Sequence, residues 1–157
     1  MKYSLLTKEQ LEELHPEFSN FLATQSIDKA EWDNIKKEQP EVAQQELEVF
    51  SDLVWEGVIN KVTYLENQSP QQLFLFKIAA SEMQLIMVSL QNTTINLTTV
   101  EGMLWLEQNL HSEKVELFTS QKAYSEDKNL DVFNLIQQGA IITKGELFEG
   151  IAKVING

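Results

Sequence analysis

The sequence predicts an α+β fold, with a helical half over residues 1–68 and a small mixed sheet with its own helices over residues 69–157. Three observations lead there. Apolar residues recur at helical spacing through the first half, the period changes to two after Asn67-Gln68-Ser69-Pro70, and strand and helix patterns then alternate. A length of 157 residues with 43% hydrophobic content suits one domain with its own core, so we predict a single domain.

The helical half opens with short elements. Thr7-Lys8-Glu9-Gln10 has the pattern of a capping box, in which the first and fourth side chains satisfy each other's backbone amides. Pro16 disfavours helical geometry at His15, which predicts two short helices or one kinked helix. Asp28-Lys29-Ala30-Glu31 is a second capping box, and it opens a helix that ends before Pro40.

A long helix is predicted from Pro40 to about Glu66, because proline is favoured in the first helical turn. Its apolar residues step by three or four and form one stripe: Leu47, Phe50, Val54, Val58, Val62 and Leu65. Gly57 interrupts this helix at a cost of about 1 kcal/mol relative to alanine. We therefore expect another helix to cross closely at Gly57.

The second half is predicted to begin with a buried β-hairpin of residues 73–78 and 85–90. Thr98-Thr99-Val100-Glu101 resembles a capping box and opens the next helix. A strand at 114–119, a helix at 130–138 closed by Gly139, a strand at 140–143 and a helix at 146–155 follow. The order β-β-α-β-α-β-α predicts crossover units with some parallel pairing.

Composition excludes several classes of function. The chain has no arginine, no cysteine and only two histidines, so disulfides, thiolate nucleophiles and cysteine metal sites are excluded and few catalytic groups remain. Its net charge of −12 repels nucleic acid and anionic membranes and attracts basic proteins. No phosphate-loop, dinucleotide or serine-hydrolase motif occurs, so no cofactor and no catalytic residue is predicted. With neither a signal-peptide pattern nor an apolar run of about 20 residues, we expect a cytoplasmic protein.

Acidic residues recur every three or four positions on the predicted long helix. Glu41, Glu48, Asp52 and Glu56 share the face opposite the apolar stripe. Neighbouring like charges cost a few tenths of a kcal/mol each, which a solvated helix face tolerates. The alternative is that these four residues bind a lysine- or arginine-rich protein partner.

Two acid–histidine pairs are the only pattern that suggests metal chemistry. Glu12 precedes His15 by three residues, and Glu107 precedes His111 by four, so each pair can share a helix face. The favoured interpretation is a solvated helix end for the first pair and, for the second, a histidine that complements the helix dipole. If all four converged, they would form a metal site with two histidines and two carboxylates.

Three functions follow as hypotheses. The favoured one is a non-enzymatic module that binds a basic protein, since acidic residues abound and catalytic groups are scarce. The alternatives are a carboxylate- or metal-dependent hydrolase, and a structural homodimer that pairs through an exposed strand or helix face.

A resemblance accompanies these inferences. From Ser26-Ile27-Asp28-Lys29-Ala30-Glu31-Trp32 to Phe50-Ser51-Asp52-Leu53-Val54-Trp55-Glu56-Gly57, and again at Gly139-Ala140-Ile141-Ile142-Thr143-Lys144-Gly145-Glu146, the chain resembles a family of small bacterial proteins of unknown function. The resemblance implies a cytosolic bacterial protein and carries no mechanism.

Overall fold

Seven helices and a five-stranded antiparallel sheet make up the described part of the chain, residues 1–91 and 94–157 of a computed structural model. The predicted α+β class is confirmed. Contacts divide the chain into two compact units, Met1–Asn60 and Lys61–Gly157, which we call the helical unit and the sheet unit.

The helical unit contains four helices: α1 (Lys8–Glu13), α2 (His15–Thr24), α3 (Lys29–Glu38) and α4 (Pro40–Ile59). Thr7 forms the predicted capping box with Gln10, and Asp28 caps α3 by accepting from the Glu31 amide. Leu14 leaves helical geometry (φ −97°, ψ 20°), so α1 and α2 are two short helices, one of the two forms predicted.

Aromatic rings hold these helices together. Phe18 of α2 lies 5.0 Å from Phe50 of α4 and 5.2 Å from Trp32 of α3, measured between ring centroids. Phe21 lies 5.4 Å from Phe50, so the rings form one cluster. Each such pair adds about 0.5–1.5 kcal/mol to the burial of its area. This cluster fixes which sides of α4 remain open.

The predicted length of α4 is wrong, because the helix ends at Ile59 and Tyr64–Gln68 form strand β1. Leu65, predicted on the helical stripe, is fully buried in that strand (0% exposed). Its neighbours Thr63 and Tyr64 favour extended backbone, and pairing of β1 on both edges outweighs the helical spacing. A close helix crossing at Gly57 is also wrong, since a Cβ there would meet nothing within 4 Å.

The sheet has the order β4-β3-β2-β1-β5. Its other strands are β2 (Gln72–Ile78), β3 (Glu82–Leu90), β4 (Val115–Ala123) and β5 (Ile141–Thr143). Every pairing is antiparallel across the described residues, so the predicted parallel pairing is wrong. The chain leaves β3 and re-enters β4 at the same end of the sheet, where the Gln91 amide donates to the Lys114 carbonyl (2.8 Å). Strand β1, which the sequence did not predict, lies between β2 and β5 and pairs with both.

Three helices complete the sheet unit: α5 (Val100–Gln108), α6 (Lys128–Gln137) and α7 (Glu146–Asn156). One sheet face carries the core, in which Leu73, Leu75, Ile86, Val88 and Leu90 pack with Leu97, Leu106, Phe148 and Ile151. Thr99, one residue after the predicted position, caps α5 by accepting from the Gly102 amide. Gly139 follows α6 with φ +110°, as predicted.

Across residues 1–91 and 94–157, no helix combines the length and apolar character needed to cross a membrane.

Candidate functional site

Two of the four predicted partner-binding residues are engaged within the helical unit by the chain's first residues. The Asp52 carboxylate accepts from the backbone amides of Lys2 (2.7 Å) and Tyr3 (2.9 Å). Glu56 accepts from the Tyr3 hydroxyl and lies 3.6 Å from the Lys2 ammonium. Asp52 and Glu56 therefore hold an N-terminal segment against α4.

Apolar and neutral contacts continue this N-terminal segment, which we define as residues 1–6. The buried Ser51 hydroxyl accepts from the Leu6 amide (3.1 Å), and the Trp55 indole donates to the Ser4 carbonyl (3.1 Å). Tyr3 and Leu6 are both buried. Burial, together with the hydrogen bond to Glu56, raises the pKa of the Tyr3 hydroxyl above its ordinary value.

A different side of α4 is open to solvent. Residues four apart form one row along a helix, and one such row is exposed at every position: Glu41, Gln45, Val49, Leu53 and Gly57. We call these five residues the exposed row. Val49 and Leu53 are 52% and 56% exposed, and they lie one turn apart in this row, so together they form a small apolar surface.

Carboxylates border the exposed row. Glu48, Asp52 and Glu56 form the neighbouring row of α4, and Glu41 begins the exposed row itself. The predicted sharing of one face is thus observed for the four acidic residues, with Asp52 and Glu56 engaged by the N-terminal segment. Glu48 makes a long contact of 3.5 Å with the Gln44 side chain and stays only partly buried.

The predicted metal residues are exposed and dispersed. Glu12 is the second-to-last residue of α1, and His15 is the first residue of α2. Glu107 lies near the end of α5, and His111 lies in the turn that follows. Within the described ranges, no three histidine, aspartate or glutamate side chains come together as a group that could hold a metal. The helix break at Leu14 also removes Glu12 and His15 from a common helix.

The structure assembles a polar cluster that sequence reasoning missed. Lys77 of β2 donates to Glu149 of α7 (2.9 Å), and the Tyr64 hydroxyl lies 3.2 Å from the same carboxylate oxygen. The hydrogen bond from Lys77 lowers the pKa of Glu149, and the same contact raises the pKa of Lys77. A lysine inside the apolar strand sequence Leu73-Phe74-Leu75-Phe76-Lys77-Ile78 was the available signal. Lys77 and Glu149 therefore form an ion pair, and the Tyr64 hydroxyl completes the hydrogen bonding of the Glu149 carboxylate.

Near this cluster lies a small cleft of about 360 Å³ around Glu66, Thr143 and the start of α7. Burial raises the pKa of the Glu66 carboxyl, and a hydrogen bond with Thr143 opposes that shift. Gly145 has φ +81°, and a Cβ there would lie 2.4 Å from the Tyr64 ring. The backbone of this turn is therefore packed tightly, which fits the strand-to-helix turn expected of Thr143-Lys144-Gly145-Glu146.

Another cleft, of about 300 Å³, lies between α6 and strands β2 to β4. The Tyr124 hydroxyl beside it lies 2.6 Å from the Ala79 carbonyl oxygen and 3.0 Å from that of Glu82. Asp131 accepts from the Ser125 amide and hydroxyl (2.8 and 2.7 Å). Burial raises the pKa of Tyr124, and its hydroxyl ties the β2–β3 turn to the chain after β4. These contacts order the loop rather than present an unused acid or base.

The sequence matches the family of unknown function DUF6495 over residues 1–156, so the chain belongs to this family. The match spans both units and confirms the predicted resemblance to a family without an assigned activity. No curated protein and no protein of solved structure matches the sequence significantly.

Proposed function

We propose that the protein is a non-enzymatic binding module, and that α4 docks a basic amphipathic helix of a protein partner. The observation that carries the proposal is the pair of exposed apolar side chains, Val49 and Leu53, bordered by the carboxylates of Glu41 and Glu48. An apolar centre with a charged rim is the usual composition of a protein-binding surface.

The spacing on α4 suits a helical partner. Val49 and Leu53 are one turn apart, so an amphipathic helix with apolar residues three or four apart can cover both. Burying two such side chains yields roughly 1.5–3 kcal/mol each before the costs of association. That gain is too small for binding on its own and requires the electrostatic contribution of the rim.

Charge selects a basic partner. The helical unit has five lysines against thirteen acidic residues, a net charge of −8. Such a field speeds the encounter with a lysine-rich helix and disfavours acidic partners. The N-terminal segment supports this choice, since the chain's own Lys2 already lies beside Glu56 on the neighbouring row.

The probe for this function is an 18-residue fluorescent peptide of leucine and lysine patterned as an amphipathic helix. Its counterpart carries glutamate in place of every lysine. We expect the lysine peptide to bind, with fluorescence anisotropy rising on titration, and the glutamate peptide not to bind. Raising salt from 0.15 to 1 M shortens the Debye length from about 8 to about 3 Å and should weaken the affinity at least tenfold.

A matched pair of variants separates docking on α4 from general attraction. Glu41→Lys combined with Glu48→Lys changes the net charge by four, as does Glu113→Lys combined with Glu126→Lys on the sheet unit. We expect the first pair to weaken peptide binding at least tenfold and the second to weaken it less than threefold. Equal weakening by both pairs would show that only net charge matters, and would overturn the proposal. Leu53→Ser tests the apolar centre without changing charge.

A further inference from the structure

Strand β4 is a long, open edge of the sheet. It pairs with β3 on one side and stands last in the strand order. Its last six residues, 118–123, are exposed on both faces, and Phe118 is 49% exposed. Nine residues without proline or bulge make an edge that can add another strand. The opposite edge, β5, has only three residues.

The register of β4 on β3 determines which backbone groups face outward. The Gln91 amide donates to the Lys114 carbonyl, which sets the phase of this antiparallel ladder. Alternate residues exchange both hydrogen bonds with the partner strand. Glu116, Phe118, Ser120 and Lys122 therefore bond β3, and residues 117, 119 and 121 direct their amides and carbonyls to the open edge.

We propose that a second copy of this chain occupies this edge, with the two β4 strands pairing antiparallel about a two-fold axis at Thr119. The backbone amide and carbonyl of Thr119 then bond the carbonyl and amide of Thr119 in the other copy. Those of Leu117 bond the backbone of Gln121 in the other copy. The two five-stranded sheets continue into one of ten strands. This interface is independent of the proposed docking on α4, because it uses another element.

Charge complementarity within the strand identifies the second copy as the occupant. In the register centred on Thr119, Glu116 lies opposite Lys122 of the other copy, and the symmetry repeats the pair. Opposite charges directly across an antiparallel pair stabilise it, and like charges destabilise it. Glu116 also accepts from the Gln91 side chain, which holds its carboxylate at this end of the strand. A lysine-rich or glutamate-rich strand could match only one of these two charges.

The uncharged positions fit the same register. Thr119 lies opposite itself, and threonine pairs across strands are favourable. Phe118 lies opposite Ser120 of the other copy and diagonal to the second Phe118, so the two exposed rings can pack together. Nine residues per copy are fewer than the roughly 20–30 of a standard interface, so we expect a weak dimer.

Sedimentation equilibrium on the full chain from about 1 to 500 μM tests the dimer. The expected result is a mass that rises with concentration from 18.0 kDa toward twice that value. Thr119→Pro removes an outward amide without touching the bonds to β3, and edge strands accept proline at such a position. It should abolish the rise in mass, whereas Thr119→Val should preserve it. A constant mass of one chain, or a dimer that persists in Thr119→Pro, would overturn the proposal.

A charge swap tests the register and guards against a misfolded proline variant. Glu116→Lys alone, or Lys122→Glu alone, places like charges opposite each other twice, and should raise the Kd about tenfold. The double variant Glu116→Lys with Lys122→Glu restores both pairs and should return the Kd to within threefold of the original. Failure of the double variant to recover would contradict this register.

Cysteine cross-linking gives a second measurement of the axis. The natural chain has no cysteine, so Thr119→Cys can form a disulfide or a short bis-maleimide link only between copies. We expect efficient cross-linking at 119 and little for the exposed control Glu113→Cys. Equal yields at both positions would indicate random collision and would count against pairing through β4.

Discussion

Replacing Asp52 by asparagine should release the N-terminal segment from α4. Asp52 is the only described carboxylate that accepts two backbone amides of this segment, those of Lys2 and Tyr3. Asparagine is almost isosteric, but its amide group is a donor and cannot accept from the second backbone amide. A hydrogen bond to a charged group contributes about 1.5–3 kcal/mol net, and less where it is exposed to solvent, as one of these two bonds is. We therefore expect Asp52→Asn to lower the free energy of unfolding by about 1–3 kcal/mol.

The segment can detach before the rest of the helical unit unfolds, so two measurements are needed. Hydrogen exchange of the Tyr3 and Leu6 amides reports docking of the segment, and urea unfolding followed by circular dichroism reports global stability. In Asp52→Asn, the protection of these amides against exchange and the free energy of unfolding should both fall. Glu48→Gln is the matched control on the same helix, where we expect a change below about 0.5 kcal/mol. Equal effects of the two substitutions would refute a specific role for the Asp52 hydrogen bonds.

Three further predictions concern stability measured by urea unfolding. Gly57→Ala should stabilise the protein by about 0.5–1 kcal/mol because the position is helical and open, whereas Gly102→Ala should destabilise it, since a Cβ there would lie 1.8 Å from the Asn96 carbonyl oxygen. Leu65→Ala should cost about 2–5 kcal/mol because Leu65 is 0% exposed. Burial raises the pKa of Glu66 above its ordinary 4.5, so the folded state binds more protons above pH 4.5 and loses stability as pH rises toward the raised pKa. Glu66→Gln should therefore raise the urea midpoint at pH 7 more than at pH 4, and equal shifts at both values would contradict this sign.

The elements that sequence predicted well are those fixed by local chemistry. Capping at Thr7 and Asp28 depends on side chains and amides three residues apart, and the β2–β3 hairpin depends on adjacent apolar strands. The end of α4 depends on distant residues. Val62 and Leu65 continue the helical spacing, so only the pairing of β1 with β2 and β5, in which Leu65 lies opposite Phe76 and Ile142, removes them from the helix.

The same distinction applies to the candidate site. Helical spacing correctly places four acidic residues on one side of α4. It could not show that Asp52 and Glu56 are engaged by Lys2 and Tyr3, which lie 49 or more positions earlier in the chain. Nor could it show that Val49 and Leu53 are exposed, because which side chains of α4 become covered depends on an aromatic cluster that is assembled from three separate helices.

The two proposed surfaces should respond differently to salt, because charge is distributed unevenly between the units. The helical unit has a net charge of −8 and the sheet unit, with seven lysines and eleven acidic residues, only −4. Docking of a basic helix on α4 depends on that larger charge and should weaken as salt screens it. Pairing through β4 depends on backbone hydrogen bonds, and salt weakens its two ion pairs while it also screens the repulsion between two acidic copies. Its Kd should therefore change little over the range in which the α4 affinity falls tenfold. A dimer that dissociated in step with peptide release would mean that both signals come from one surface.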